Sequence, residues 1–231
     1  MKRLLTVLML VTGLSSGYSN TFIYLYGGTG VAATSNYNMG LSGGTGFQSA
    51  ISNGFGLGAN VFLQQYNVYY SKQVGSVSGN SFHHTSNYVF FAPTFSKQLS
   101  AKAGVMNSFF VSAGVGMKMG TTDTVRSWAN GNGVIHGYDS VYDASTTATS
   151  MVMRISAGLS HHFGGVSIKK HKYIKYSRLG FSLREEVAFT PTKLNTFSVP
   201  GNTELNNSAE RFMRPLMFNI TFGIYINAGK N

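Results

Sequence analysis

The chain has 231 residues, of which 43% are hydrophobic, 13% aromatic and only 11% charged, with 28 glycines and a formal net charge of +11. Soluble domains carry about a quarter charged residues, and no run here approaches the ~20 apolar residues of a membrane helix. An ordinary soluble surface and a helical span are both excluded, and the lack of cysteine excludes disulfides, thiolate metal sites, cysteine nucleophiles and lipoprotein attachment.

The opening "MKRLLTVLMLVTGLSSGYSN" reads as a signal peptide over residues 1–19. Lys2 and Arg3 form the basic region, Leu4 to Leu14 the apolar one, and Gly17 and Ser19 the small residues a signal peptidase reads. Cleavage is expected between Ser19 and Asn20, leaving one exported domain, 20–231. Its basic charge suits acidic glycans or lipid phosphates, and export argues against nucleic acid.

From Thr21 onward the chain alternates with period two, the mark of strands whose faces meet different solvents. "TFIYLYG" opens the first strand, and the following glycines, Gly27, Gly28 and Gly30, read as a kink in it. A phosphate loop would need a following helix and a lysine. "NMGLSGGTGFQ" aligns Met39, Leu41 and Phe47; "FGLGANVFL" aligns Phe55, Leu57, Ala59, Val61 and Leu63. "NYVFFAPTF" is apolar on both parities, and Pro93 inside it predicts a bulge or an edge-like site. "FFVSAGVGMKMG", "MVMRISAGLS" and "RLGFSLREEVAF" follow the same rule. The last, "FNITFGIYIN", sets Phe218, Ile220, Phe222, Ile224 and Ile226 against Asn219, Thr221, Gly223, Tyr225 and Asn227.

Eight strands result, at about 21–33, 38–48, 54–71, 86–96, 108–120, 147–162, 178–190 and 212–227. Membrane strands need about 9–11 residues at a 45° tilt, and several of these are that long. Odd-numbered connections, near 34–37, 72–85, 121–146 and 191–211, are mostly long and polar; "SAISN" at 49–53 is short, while 163–177 is long for a periplasmic turn.

The charges separate lipid from core. Lys118, Arg154, Arg184 and Glu186 share the polar parity of their strands and predict a paired charge network inside a narrow lumen. Glu185 alone falls on the apolar parity, where a bulge or a rim position would accommodate it. A soluble sandwich would instead turn the glycine-rich parity to water, with more Lys and Glu than this chain has.

These features resemble the small outer-membrane β-barrel families, namely the OmpA-type transmembrane barrel, OmpX and related domains. The resemblance rests on the signal peptide, the eight alternating segments, the "YYSKQVG" exit from the third strand, "FFVSAGVGMKMG" and the terminal "FNITFGIYIN", and covers nearly all of 20–231. It implies an all-β, eight-stranded, antiparallel up-and-down transmembrane barrel in the bacterial outer membrane. The chain departs from the family pattern in adding "AGKN" after the last strand.

Candidate chemistry is sparse. His83–His84 and His161–His162 are adjacent pairs, so each pair splits across a strand and chelates no single metal. "HTSN", His84 to Asn87, resembles the His-x-Ser-Asn element of the outer-membrane lipid A deacylases, which implies His84 as base and Ser86 as nucleophile. The next strand, where the orienting acid is sought, holds Lys97 and Gln98. "KKHKYIKYSR" gathers Lys169, Lys170, Lys172, Lys175 and Arg178 on the periplasmic side, as a solvated run or a contact for lipid phosphates or an acidic polymer.

The sequence thus predicts a non-enzymatic, monomeric outer-membrane barrel without cofactor or metal. Its lumen is plugged, its lipid neighbours include lipopolysaccharide, and its loops 121–146 and 191–211 are the contact surface, with Trp128 anchored at the interface. Two alternatives stay open: a lipid A deacylase using His84 and Ser86, and a soluble secreted β-barrel binding protein.

Overall fold

A computed structural model describes residues 21–33, 39–52, 54–74, 78–102, 104–129, 145–168, 173–198 and 203–227. The predicted signal peptide, 1–19, lies outside them. The strands are β1 (Thr21–Ala32), β2 (Met39–Ser52), β3 (Phe55–Val74), β4 (Ser78–Lys102), β5 (Gly104–Ala129), β6 (Ser145–Ala148), β7 (Met151–Ile168), β8 (Tyr173–Phe189), β9 (Asn195–Ser198) and β10 (Leu216–Asn227). Among the described residues one helix, α1 (Thr203–Phe212), precedes β10.

Eight strands close a barrel in the order β1-β10-β8-β7-β5-β4-β3-β2, and β6 pairs with β9 in a separate two-stranded ribbon. Every barrel pairing is antiparallel. Phe22 faces Asn227 across the β1–β10 seam, so the start of β1 and the end of β10 share one end, the turn end. The connections carrying β6, β9 and α1 lie at the opposite, loop end.

Period-two alternation becomes an inside and an outside. Along β10, Met217, Asn219, Thr221, Tyr225 and Asn227 are buried, while Phe218 (51% exposed), Ile220, Phe222 (65%), Ile224 and Ile226 point out. Leu25, Leu41, Leu57, Phe91, Val111, Ile155 and Phe181 continue this apolar belt on other strands. A contiguous apolar girdle around a closed barrel has no stable place in water. The soluble alternative fails here, because it requires the apolar parity to face a core.

The lumen is filled in three tiers. Phe22, Tyr24, Met106 and Tyr225 pack at the turn end. Phe62, Tyr66, Tyr88, Phe90, Val152, Ala188 and Met217 pack towards the loop end, joined by Leu194 and Met213. Polar groups occupy the middle.

Five details depart from the sequence reading. The fourth strand begins at Ser78 rather than near 86, and the fifth runs to Ala129, so Trp128 lies in a strand with its backbone opposite Gly79 rather than in a loop. Residues 163–168 and 173–177 extend the β7–β8 hairpin, with Ile168 opposite Tyr173. Pro93 sits inside β4 without a register shift, and the β4–β5 ladder lapses between Phe91 and Thr94, where proline has no N–H to give. Within 191–211, β9 and α1 form where a polar loop is expected. Finally, β3, β4 and β5 outrun their neighbours: β2–β3 pairing begins at Ser42 opposite Gln64, and β5–β7 pairing ends at Met117 opposite Met151.

Candidate functional site

The middle tier brings three of the four predicted network residues together. Arg154 donates from both terminal nitrogens to Glu186, at 2.6 Å to Oε2 and 3.2 Å to Oε1. Arg184 approaches the same carboxylate only to 3.5 Å, and its guanidinium carbon lies over the Phe110 ring, 3.7 Å from the centroid. Asn219 donates to Glu186 Oε2 at 3.4 Å. Planar guanidinium matches carboxylate geometry, so the bidentate Arg154 pair is the strong contact and Arg184 the weaker one. Lys118 stands apart. It follows the last β5–β7 pair, at a register shift against β4, where no seventh strand walls it in, and it is exposed.

Glu185 has neither of its expected excuses. It pairs in unbroken register with Ile220 on one side and Leu159 on the other, in mid-strand, exposed on the apolar outer face. Neither a bulge nor a rim position accounts for it.

The 190–215 connection folds back and stoppers the loop end. Leu194 and Met213 are fully buried in the upper core. The Tyr88 hydroxyl reaches the Leu194 carbonyl at 3.1 Å and the Thr149 carbonyl at 2.9 Å, and Tyr66 Oη lies 3.0 Å from Thr190 Oγ1. The Leu194 amide donates to the Met213 carbonyl, tying both ends of the connection together. Outside this stopper, Lys193 pairs with Glu210 of α1, which holds the Glu210 carboxyl below its ordinary range. Sequence reasoning missed the cap because its signal is two apolar residues, Leu194 and Met213, inside a polar stretch.

The two residues of the deacylase reading lie on the inner face of β4. His84 and Ser86 both face the lumen and are fully buried, with His84 Nδ1 3.4 Å from Asn195 Nδ2 on β9. Lys97 and Gln98 are on the same strand as His84, not the next one. The backbone register opposite His84 is Val68 on β3 and Asp123 on β5. A lipid ester on the outer face meets the opposite side of β4 from both side chains.

The histidine pairs do split across their strands. His83 is exposed against the Tyr69 ring, whereas His162 is buried between Phe22 and Tyr225, 3.0 Å from Tyr24 Oη. His161 Nδ1 lies 2.8 Å from Asn107 Oδ1. Among the described residues no cluster of three His, Asp or Glu forms. Of the basic run, Lys169, Lys170 and Lys172 lie outside the described residues. Lys175 and Arg178 are placed by backbone only, in β8 at the turn end.

No protein-family model and no curated protein matches the chain. Among solved structures, Neisserial surface protein A is similar at 9% identity and TM-score 0.41, covering 91% of this chain and 97% of that one. Ail, the attachment invasion locus protein of Yersinia pestis, is similar at 9% identity, with TM-scores of 0.33 in complex with the heparin analogue sucrose octasulfate and 0.32 without it, covering 90% of this chain and 97% of that one. The fold stands on the geometry itself. An even-numbered, closed, antiparallel up-and-down barrel with an apolar outer belt and a polar-centred lumen is an outer-membrane-type β-barrel.

Proposed function

We propose that this barrel is a non-enzymatic, monomeric outer-membrane protein that presents a surface for interaction beyond the membrane. The observation that carries the reading is the overhang of β3, β4 and β5. Beyond Met117, β5 continues to Ala129 without β7, paired only with β4. At ~3.3 Å per residue that is roughly 40 Å of ribbon past the level where the barrel closes. A strand that only had to cross lipid would stop at about 9–11 residues.

The filled lumen and the Leu194–Met213 stopper support a role other than diffusion. Lipopolysaccharide is the proposed lipid neighbour. Lys118, just past the last β5–β7 pair, and Arg214, just before β10, are both exposed towards the loop end, which supports contact with lipid phosphates.

The test uses cells displaying the full-length protein and a variant in which Lys72–Asn80 is replaced by a two-residue turn. Both should give a band that shifts on boiling, and only the intact chain should bind host surfaces or extracellular matrix. Equal binding by both chains, or steady conductance of the purified barrel in planar bilayers, overturns the reading.

A further inference from the structure

We propose that the lumen cavity beside Arg184 is a binding site for one small monovalent anion, chloride being the type. The first argument is charge. Among the described residues, two guanidiniums, Arg154 and Arg184, share the single carboxylate of Glu186 in the middle tier. Arg154 claims that carboxylate bidentately, so Arg184 is the surplus cation. Arg184 is only partly exposed and shares that one carboxylate at 3.5 Å, and an incompletely balanced charge in a poorly hydrated interior is costly.

The second argument is the set of open donors. Arg184 Nε and Thr221 Oγ1 are both buried and have no hydrogen-bond partner among the described residues. Thr221 is 5% exposed. Both residues line one cavity of ≈ 20 Å³, together with Tyr26, Ser160 and Ser182. A space of that size accepts about one water-sized occupant.

The third argument is the polarity of the walls. The Asn60 and Gln48 amides each give one N–H to a neighbour, to Thr94 at 2.9 Å and to Ser96 at 2.7 Å, and each keeps a second. With them the lining offers a guanidinium N–H and hydroxyls, and no carboxylate. A smaller cavity of ≈ 10 Å³ shares Tyr26, Arg184 and Thr221 with it but includes Glu186, which would repel an anion, so the larger cavity is the site. Water could occupy the larger cavity and satisfy the two donors, but it would leave the surplus positive charge uncompensated. An anion satisfies both conditions at once.

The experiment uses the full chain folded in detergent. Crystals grown or soaked in sodium bromide should show an anomalous peak within hydrogen-bond reach of Arg184 Nε and Thr221 Oγ1. The midpoint of the heat-induced gel shift should rise by about 2–4 °C in sodium chloride over sodium sulfate of equal ionic strength. Thr221→Val removes one donor with little change of shape and should lose most of that rise; Arg184→Met should abolish it. Bromide found only on the outer surface, or the same midpoint in both salts for the parent chain, overturns the proposal and leaves the cavity to water. The bromide map needs only the parent protein, so a misfolded variant does not obscure the answer.

Discussion

Arg154 on β7 and Glu186 on the adjacent β8 meet inside the lumen although they are not partners in the ladder. Glu186 pairs in register with Gly158 on β7 and Asn219 on β10, and Arg154 reaches it from four residues towards the loop end of β7. The side chain runs along the lumen rather than across a strand pair, past the Phe62 ring at 4.9 Å. The interaction therefore braces the barrel vertically, through a fork of two N–H···O bonds.

Removing the carboxylate leaves the buried Arg154 and the partly buried Arg184 without a counter-charge. Glu186→Gln should cost about 3–5 kcal/mol, the range for breaking one side of a buried pair. Joint replacement by Met at Arg154 and Leu at Glu186 should cost clearly less than the sum of the single changes, since neither charge is then stranded. Urea unfolding of the reconstituted barrel, followed by tryptophan fluorescence and the gel shift, measures both.

How this network could be read beforehand is instructive. Arg154, Arg184 and Glu186 share a parity, and parity survives folding because a strand has only two faces. The same rule placed the belt, from Leu25 to Ile226. Parity alone does not say where a neighbouring strand ends, which is why Lys118 reads as luminal and stands instead at an unwalled rim. It also cannot see a connection fold inward. The cap depends on the Tyr66 hydroxyl meeting the Thr190 hydroxyl and on the Tyr88 hydroxyl meeting the Thr149 and Leu194 carbonyls, all more than 60 residues away in sequence. Such contacts leave no local pattern.

Glu185 projects a carboxyl into the apolar belt between Ile220 and Leu159. Lipid-facing charge is unfavourable near mid-depth, with Asp and Glu less costly than the ~2–4 kcal/mol of Arg or Lys. Glu185→Leu should therefore stabilise the barrel in lipid vesicles by about 1 kcal/mol and leave it unchanged or slightly worse in small detergent micelles, where water reaches the belt. Parallel urea titrations in the two media check this. A destabilised Glu185→Leu variant in vesicles would mean that the carboxyl makes a favourable contact within the membrane.

The stopper is held by burial and by the Tyr88 hydroxyl. Leu194→Ala should cost about 2–5 kcal/mol as a large-to-small change at a fully buried site, and Tyr88→Phe about 1 kcal/mol for its bonds to two carbonyls. Neither should create a steady pore, because Phe62, Phe90 and the Arg154–Glu186 brace still fill the lumen beneath. Single-channel recording of both variants is the direct measurement, and limited proteolysis within 190–215 should speed up in each.

The contact between Lys193 and Glu210 lies outside the membrane and gives the docked helix a pH dependence. Its hydrogen bond to Lys193, and then the nearby positive charge, lower the Glu210 pKa in the folded protein. A depressed acid contributes stability that is complete above the unfolded Glu value of about 4.3 and is lost as pH falls through the lower folded value. Amide exchange in α1 should rise below about pH 4 relative to the barrel strands, by a small factor because the pair is exposed. Glu210→Gln should show the faster exchange already at pH 7 and no further rise from this source.

The first strand holds two glycines with opposite demands. A Cβ on Gly28 would land on the Ile220 carbonyl oxygen and crowd the Thr221 backbone of β10, so the β1–β10 seam closes only because nothing projects there. A Cβ on Gly27 would meet nothing closer than the Ser42 carbonyl oxygen at 3.9 Å. Gly28→Ala must push the seam apart and should lower the yield of the folded, heat-shifting form severely. Gly27→Ala should fold normally and gain about 0.4–1 kcal/mol, since alanine narrows the unfolded ensemble at no cost in an extended strand. Refolding both variants side by side and scoring the shifted band separates the glycine that closes the barrel from the one that does not. Equal yields would mean that the seam has slack, and that barrel closure tolerates a wider β1–β10 spacing than this register implies.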